Sequence, residues 1–534
     1  MQRQQRSGAR IDPFDLELFT GSLTSISDEM FQTTMRSARS TVIYDVLDYS
    51  NAITDSGGNV VALSCGIPLF TGVFDLMVRA VVKRIRMEEG DVVMTNDPYL
   101  TGTHLNDMGF VMPVFDDGLV AFCVCKGHLN DIGGNSVGSW SPDNREVYQE
   151  GIQVPPVKVV RGGEVDSDII GMVVENSRVP DVVEGDIMAM IASLRKGASR
   201  LSGLLRSKGF EFGPMSSEVM RRSEEMARQR IATFPQGTYT SREVLDNGME
   251  FGCTVRIRPG GEPRVEVEFT GVPPQVMESI NTTLPGAVSA ARSVYVAVVD
   301  PHADYNQGLV RPLDIRVPRS TILSAEKPAP VGVYWETTTY AADAVWKALA
   351  PVFPDRLSMG HFLSVAADIV AGRDVNGKGF VLVEPNPGGW GATESGDGES
   401  ALVSLADGET YCSSVEVIER NYPIRVEEFS LNVKDGSGRG KYRGGFGIRK
   451  VYRVLVPAFF TAAMNRSLHP PWGNPGEGTP NYVVIGGKKL ANVSAYPLGK
   501  GETVEIVTGG GGGYGNEEER PEELKERDAL YGYR

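Results

Sequence analysis

Apolar residues recur at three-to-four spacing through Phe19, Leu23, Ile26, Met30 and Phe31, behind Asp12-Pro13, which predicts an amphipathic helix with an aspartate N-cap and proline in its first turn. Over 52–63 two apolar stretches flank Asp55-Ser56-Gly57-Gly58, the pattern of a hairpin. A second helix is predicted over 74–86 and a short strand over 91–94. Two β-prone runs, 108–115 and 119–126, are separated by Asp116-Asp117-Gly118, and the simplest reading is one more hairpin. Helical periodicity returns over 184–208 and, with more charge, over 218–231. The pattern then changes. TYTSREV, CTVRIRP and RVEVEFTG read as strands between 236 and 330, with a helix over 286–299; 336–372 reads as helical, and after about 380 the chain is glycine-punctuated β structure. The expected fold class is α+β and multi-domain: a mixed helix-and-sheet N-terminal part (1–235), a middle α+β part (236–400) and a β-rich C-terminal part (401–534).

Composition narrows the function classes. A chain of 534 residues can bury more than one core. It has no run of 18 apolar residues that would span a bilayer, and its opening MQRQQRSGAR is polar, without the apolar stretch of a secretory leader. Five cysteines, an odd number scattered along the chain, argue against a disulfide framework and fit a reducing cytoplasm. A net charge of -15 disfavours nucleic acid and anionic membranes as partners, since both are held by clustered Lys and Arg. Small molecules and other proteins are left. The 62 glycines and 32 prolines predict many turns and short strands.

The chain has five histidines, and two of them open copies of one tetrapeptide, His-Leu-Asn-Asp, at His104 and His128. His104 and Asp107 enter the first strand of the 108–126 hairpin and His128 leaves the second, so both copies fall at its open end. Two imidazoles and carboxylates meeting there form a donor set that suits Zn, Mn or Fe. The competing reading is that each His-x-x-Asp pair only satisfies its own hydrogen bonds. Cys123 and Cys125 share one face of their strand and His128 points to the other, which favours core packing over ligation. Gly134-Asn-Ser136-Val-Gly138 matches GxSxG but is followed by SWSPDN rather than a helix, which argues against a nucleophilic serine. His302, His361 and His469 stand in unrelated contexts and read as structural. None of the glycine-lysine pairs is followed by the Ser or Thr of a phosphate loop, and Gly509 to Gly513 reads as a tight turn rather than an anion cradle. If ATP takes part, another chain binds it.

Ten ordered blocks carry a resemblance: NDPYLTGTHLNDMGFVMPVF, GHLNDIGGNSVGS, EGIQVPPVK, NSRVPDVVEGDIMAMIA, DYNQGLVRPLDI, PNPGGWGATESGDGES, ERNYPIRVEEFSL, GKYRGGFGIRK, PPWG and TGGGGGYGN. From about 12 to 530 the chain resembles the hydantoinase B family, the B subunits of ATP-dependent hydantoinases and lactamases, with the matching half of 5-oxoprolinases and subunits of acetone and acetophenone carboxylases. The resemblance implies a divalent transition metal, zinc first with manganese or iron as alternatives, held by His104, Asp107, His128 and an upstream acid, Asp45 in YDVLDYSNA. Many members carry Glu in place of Asp45, a second histidine in place of Leu129 and proline in place of Asn106. Asp131 is expected to orient His128 or a backbone amide, with support of the metal or proton transfer as its sharper, catalytic role. The resemblance further implies a cytoplasmic hetero-oligomer, a dimer of heterodimers with an A-type subunit that binds ATP and Mg. That partner would phosphorylate the oxygen of a small cyclic amide, and metal-activated water on this subunit would open the ring. The alternatives are a subunit of an ATP-dependent ketone carboxylase and a non-catalytic scaffold with a structural metal.

Overall fold

The computed structural model describes residues 11–533; the polar opening read above as lacking a leader lies outside them. The first helix, α1, runs Pro13–Ser37, and Asp12 caps it as expected, its Oδ1 accepting from the Phe14 amide at 2.8 Å. Leu16, Phe19, Leu23, Ile26 and Met30 form its buried stripe. That stripe packs against the long helix Pro180–Lys208, which itself covers one face of the N-terminal sheet. Gly209, in the left-handed region at φ +67°, ends this second helix.

The sheet has seven antiparallel strands: β1 Tyr49–Asp55, β2 Val60–Cys65, β3 Val92–Thr95, β4 Asp107–Phe115, β5 Leu119–His128, β6 Val157–Arg161 and β7 Glu164–Val165, in the order β2-β1-β5-β4-β3-β6-β7. Both predicted hairpins are present. In β4 and β5 the register pairs Asp107 with His128, and this open end of the hairpin adjoins the start of β1, where Tyr49 pairs with Gly127.

A second sheet, β8 Gly237–Val244, β9 Glu250–Arg258, β10 Arg264–Thr270 and β11 Leu313–Arg316, carries the helices Leu284–Val299 and Tyr334–Leu349 on one face. Two further sheets, β13-β12-β16-β19 and β14-β15-β20-β17-β18, are built from β12 Ala367–Arg373, β13 Gly379–Glu384, β14 Ile424–Leu431, β15 Ile448–Val454, β16 Ala458–Ala463, β17 Tyr482–Ile485, β18 Lys488–Leu490, β19 Val493–Leu498 and β20 Thr503–Val507. The largest apolar core is mainly N-terminal but also takes in Val331, Val333, Tyr334, Trp335, Ala367 and Val383, so later segments return to close over the first sheet.

Two expectations are corrected. The stretch 336–372 is not one helix: Tyr334–Leu349 ends before Pro351 and Pro354, whose rings and missing N–H groups do not continue it, and the chain returns as β12. Gly509 to Gly513 is not a tight turn but a buried, extended segment. The oxygens of Gly509, Gly511 and Gly512 accept from the amides of Gly389, Gly438 and Ala392 at 2.8–2.9 Å. A Cβ on Gly511 would lie 2.1 Å from the Trp390 carbonyl oxygen, and one on Gly512 2.0 Å from that of Trp472, so the neighbouring backbones come this close only around glycine. Among the described residues no helix is long and apolar enough to cross a membrane.

Candidate metal centre

Three segments bring side chains to the open end of the β4–β5 hairpin. The short helix α2, Thr41–Tyr44, is followed by Leu47 in the left-handed region at φ +66°, after which Asp48 enters β1. The Asp48 carbonyl accepts from the His128 amide at 3.0 Å, tying this turn to the end of β5. His104 follows Gly102 and Thr103, both at positive φ, +74° and +67°. Conformations of this kind cost about 1–3 kcal/mol in a non-glycine residue, so the fold gives up stability at Leu47 and Thr103, each one position before a side chain that faces the site.

There, His104 Nε2 lies 3.1 Å from Asp107 Oδ1 and 3.2 Å from His128 Nδ1, and His128 Nδ1 lies 3.3 Å from the same Asp107 oxygen. All three side chains are buried, and their ligand atoms fall within 4.8 Å of one another. Asp48 Oδ2 is the next oxygen out, 3.8 Å from His128 Nδ1. His104 Nδ1 lies 3.0 Å from the Gly332 carbonyl oxygen. A carbonyl only accepts, so Nδ1 carries the hydrogen and a neutral His104 turns the lone pair of Nε2 toward a carboxylate oxygen. Lone pairs facing at this distance repel unless a proton or a cation stands between them. Asp107 Oδ1 has no conventional hydrogen-bond donor besides. This donor set, two imidazole nitrogens and one or two carboxylate oxygens, fits a divalent transition metal.

Electrostatics point the same way. Burial alone would raise the Asp107 carboxyl, but His104 and then His128 outweigh it and hold it well below the usual carboxylate range. Asp48 goes the other way: burial, reinforced by Asp107 and Asp407 and opposed by His128, pushes it up to about 7. Behind Asp107, Lys126 is fully buried and donates to the carbonyls of Thr101 and Gly102 at 3.3 and 3.2 Å; burial lowers it to about 8 against the pull of Asp107 and Asp97.

The cluster opens on a cavity of about 50 Å³, room for a few water-sized groups. Trp140, Tyr334 and Trp335 wall one side, while Glu384, Asp407 and Thr410 bring polar groups from the later part of the chain. Glu384 is engaged by Lys450, at 2.7 Å with neither side chain exposed. Asp407 is 7% exposed and burial holds its carboxyl well above the usual range. The Thr410 hydroxyl is buried without a hydrogen-bond partner.

The structure thus brings His104, Asp107 and His128 together and does not bring Asp45. That residue caps the end of α2 and stays off the cavity wall; the turn at Leu47 presents Asp48 instead. Asp131 is also away from the cluster. Its Oδ1 accepts from the amides of Gly133 and Arg178 at 3.1 and 2.9 Å, its Oδ2 from the Gly138 amide and the Arg178 guanidinium at 2.8 and 3.0 Å. With four donors it clamps a loop, and the geometry favours this structural use over proton transfer. Cys123 and Cys125 face α1 and Pro180–Lys208, and burial pushes both thiols up to about 12, so they pack rather than ligate. Ser136 lies in a loop with neither strand before it nor helix after it. His302 and His469 are exposed, and His361 is buried against Trp390 with ring centroids 4.6 Å apart. Sequence reasoning missed Asp48, Glu384, Asp407 and Lys450. Asp48 lay in view three residues past Asp45; the others carry no local motif.

A profile of the family described as hydantoinase B/oxoprolinase matches residues 12–517, and the chain belongs to that family. An uncharacterized protein of Methanocaldococcus jannaschii is 34% identical over 96% of this chain and 92% of its own length. The putative B subunit of a D-/L-hydantoinase from Pseudomonas sp. (strain NS671) is 31% identical, covering 98% and 93%, and the β subunit of the caprolactamase of Pseudomonas jessenii is 30% identical, covering 96% and 92%. The crystal structure of the ATP-dependent caprolactamase from Pseudomonas jessenii superposes with a TM-score of 0.91 at 28% identity, over 98% of this chain and 94% of the other.

Proposed function

We propose that this chain is the B-type component of an ATP-dependent cyclic-amide hydrolase, with an A-type partner that binds the ATP and transfers its terminal phosphoryl group to the amide oxygen. The observation that carries the reading is the convergence of His104 Nε2, Asp107 Oδ1 and His128 Nδ1 on one buried point beside a cavity. Likeness to the B component of a hydantoinase and the β component of a caprolactamase over nearly their whole lengths supports the division of labour. The absence of a phosphate-loop motif agrees with it.

In this reading His104, Asp107 and His128 hold a divalent metal, zinc before manganese or iron, and Asp48 rather than Asp45 is the fourth candidate. Such a metal, when bound, supplies Lewis acidity and a lowered water pKa, which a cyclic amide activated by phosphorylation needs for ring opening at neutral pH. The chain's own residues do the rest. Gly332 fixes the His104 tautomer, and Asp107 brings the negative charge that offsets a cation. Trp140, Tyr334 and Trp335 give the cavity an aromatic lining against which the ring of the substrate would pack. Because Lys450 neutralises Glu384, Asp407 and Thr410 are the lining groups from the later part of the chain left to contact the ring amide.

The test is reconstitution. This chain alone should open no ring; with its A-type partner and ATP it should open a hydantoin, an oxoproline or a lactam. Ring opening by this chain without partner or ATP would refute the division of labour, and purified protein without a stoichiometric divalent metal would refute the metal.

A further inference from the structure

The Gly332 carbonyl that fixes His104 is itself held in place, by a residue 46 positions further along than His104. Glu150 is 1% exposed. Its Oε1 accepts from the Gly332 amide at 2.7 Å and from the Ser279 hydroxyl at 2.7 Å, and its Oε2 accepts from the Val331 amide at 3.0 Å. The two amides only donate and each takes a different oxygen, so the site requires an acceptor at both, which the ionised carboxyl provides and a carboxamide does not; burial raises that carboxyl to about 7, against the pull of Val331, Ser279 and Gly332. Glycine at 332 permits the close approach: a Cβ there would lie 2.8 Å from both Glu150 Oε1 and Ser279 Oγ. The other side of the same residue, Gly332 O, meets His104 Nδ1 at 3.0 Å. A buried carboxylate, a turn and an imidazole therefore form one continuous chain of hydrogen bonds ending on Nε2, the atom that faces the cluster.

We propose that Glu150 is a positioning residue for the metal centre: by anchoring the amides of Val331 and Gly332 it aims the Gly332 carbonyl at His104 and so sets the tautomer and ring orientation with which His104 ligates. This rests on the metal reading above. The device is a carboxylate–backbone–histidine relay in place of the direct carboxylate–histidine contact common at metal sites, and it serves the same end. In Glu150→Gln one end of the side chain must turn an N–H toward another donor, so the 331–332 turn shifts and His104 loses its fixed acceptor.

Two measurements on the full-length chain decide it. Zinc affinity by competition with a chromophoric chelator should fall about 10–100-fold in Glu150→Gln. In the chain labelled with ¹⁵N-histidine, the His104 signal, assigned by its loss in His104→Asn, should show Nδ1 carrying its hydrogen in the zinc-free wild type and a mixture of Nδ1–H and Nε2–H forms in the variant. A merely structural role would lower the melting temperature and leave the tautomer alone. Unchanged zinc affinity in a folded Glu150→Gln chain overturns the proposal, as does an unchanged tautomer. If the wild type takes up no zinc, the metal reading falls, and the tautomer alone decides whether Glu150 positions His104. If Glu150→Gln does not fold, Ser279→Ala, which removes one anchor of the carboxylate, should still weaken zinc binding about threefold or more, and an unaltered affinity there counts against the proposal.

Discussion

The two copies of His-Leu-Asn-Asp have the same composition and opposite fates. Leu105 and Leu129 both disappear into the core. In the first copy the aspartate faces two imidazoles, with Oδ1 lacking a conventional donor; in the second, Asp131 accepts four hydrogen bonds and is saturated. Asn106 donates to two carbonyls, of Leu129 and Gly138, while Asn130 reaches across to Val381. The difference teaches that sequence identity does not fix use: Asp107 keeps an oxygen open toward two imidazoles, whereas both oxygens of Asp131 are engaged in holding a loop. The first copy supplies two side chains to the centre and the second only its histidine.

Changing the aspartates should break the comparison most visibly. Asp107→Asn removes the charge and should weaken zinc binding by more than about 100-fold, beyond what loss of a supporting residue does, as read by chelator competition. Asp131→Ala should do the reverse. It leaves the Gly133, Gly138 and Arg178 amides without their acceptor and the Arg178 guanidinium without its carboxylate, which should cost about 2–3 kcal/mol of stability in urea titration while zinc affinity of the folded chain stays within about twofold.

A pH series sharpens the contrast between a site acid and a structural one. Burial raises Asp48 to about 7, so below that pH a metal entering beside it must displace a proton. The sign follows: zinc binding should strengthen as pH rises from 6 toward 7 and then level off, by at most about tenfold per unit from this group. Asp48→Asn should lower the affinity and flatten that slope, whereas Asp131→Ala should leave the slope as it is. Smallest are the asparagines. Asn130→Ala leaves the Val381 carbonyl without its side-chain donor and should cost about 1 kcal/mol, with Asn106→Ala costing more because two carbonyls lose theirs. Equal losses would mean that the two copies are not used differently at this position.

Much of the architecture was readable because short-range chemistry decides it. Asp12-Pro13 starts α1, alternating apolar runs around Asp116-Asp117-Gly118 make β4 and β5, and strand parity alone separates Cys123 and Cys125 from His128. The differences share one cause. Asp45 and Asp48 differ by three residues, and which of them faces the histidines depends on the backbone at Leu47, a left-handed conformation that no residue preference announces. Glu384, Asp407 and Lys450 reach the cavity or its wall from more than 250 residues beyond His128, and neither periodicity nor spacing carries information over that separation. Five successive glycines suggested a turn because glycine is permissive; their use depends on four other backbone segments, at 390–391, 436–439, 472–473 and 479–480, arriving close enough to need them.

By itself the amino-acid sequence determined the family, the hairpin and the meeting of two histidines with one aspartate, since each follows from local pattern or from a turn that folds neighbours together. Only the tertiary structure decided which carboxylates face that point, which tautomer His104 adopts and which acids are consumed by Arg178 and Lys450. Those choices depend on hydrogen-bond partners and burial supplied by distant segments, and a buried polar atom has no assigned role until its neighbours are in place.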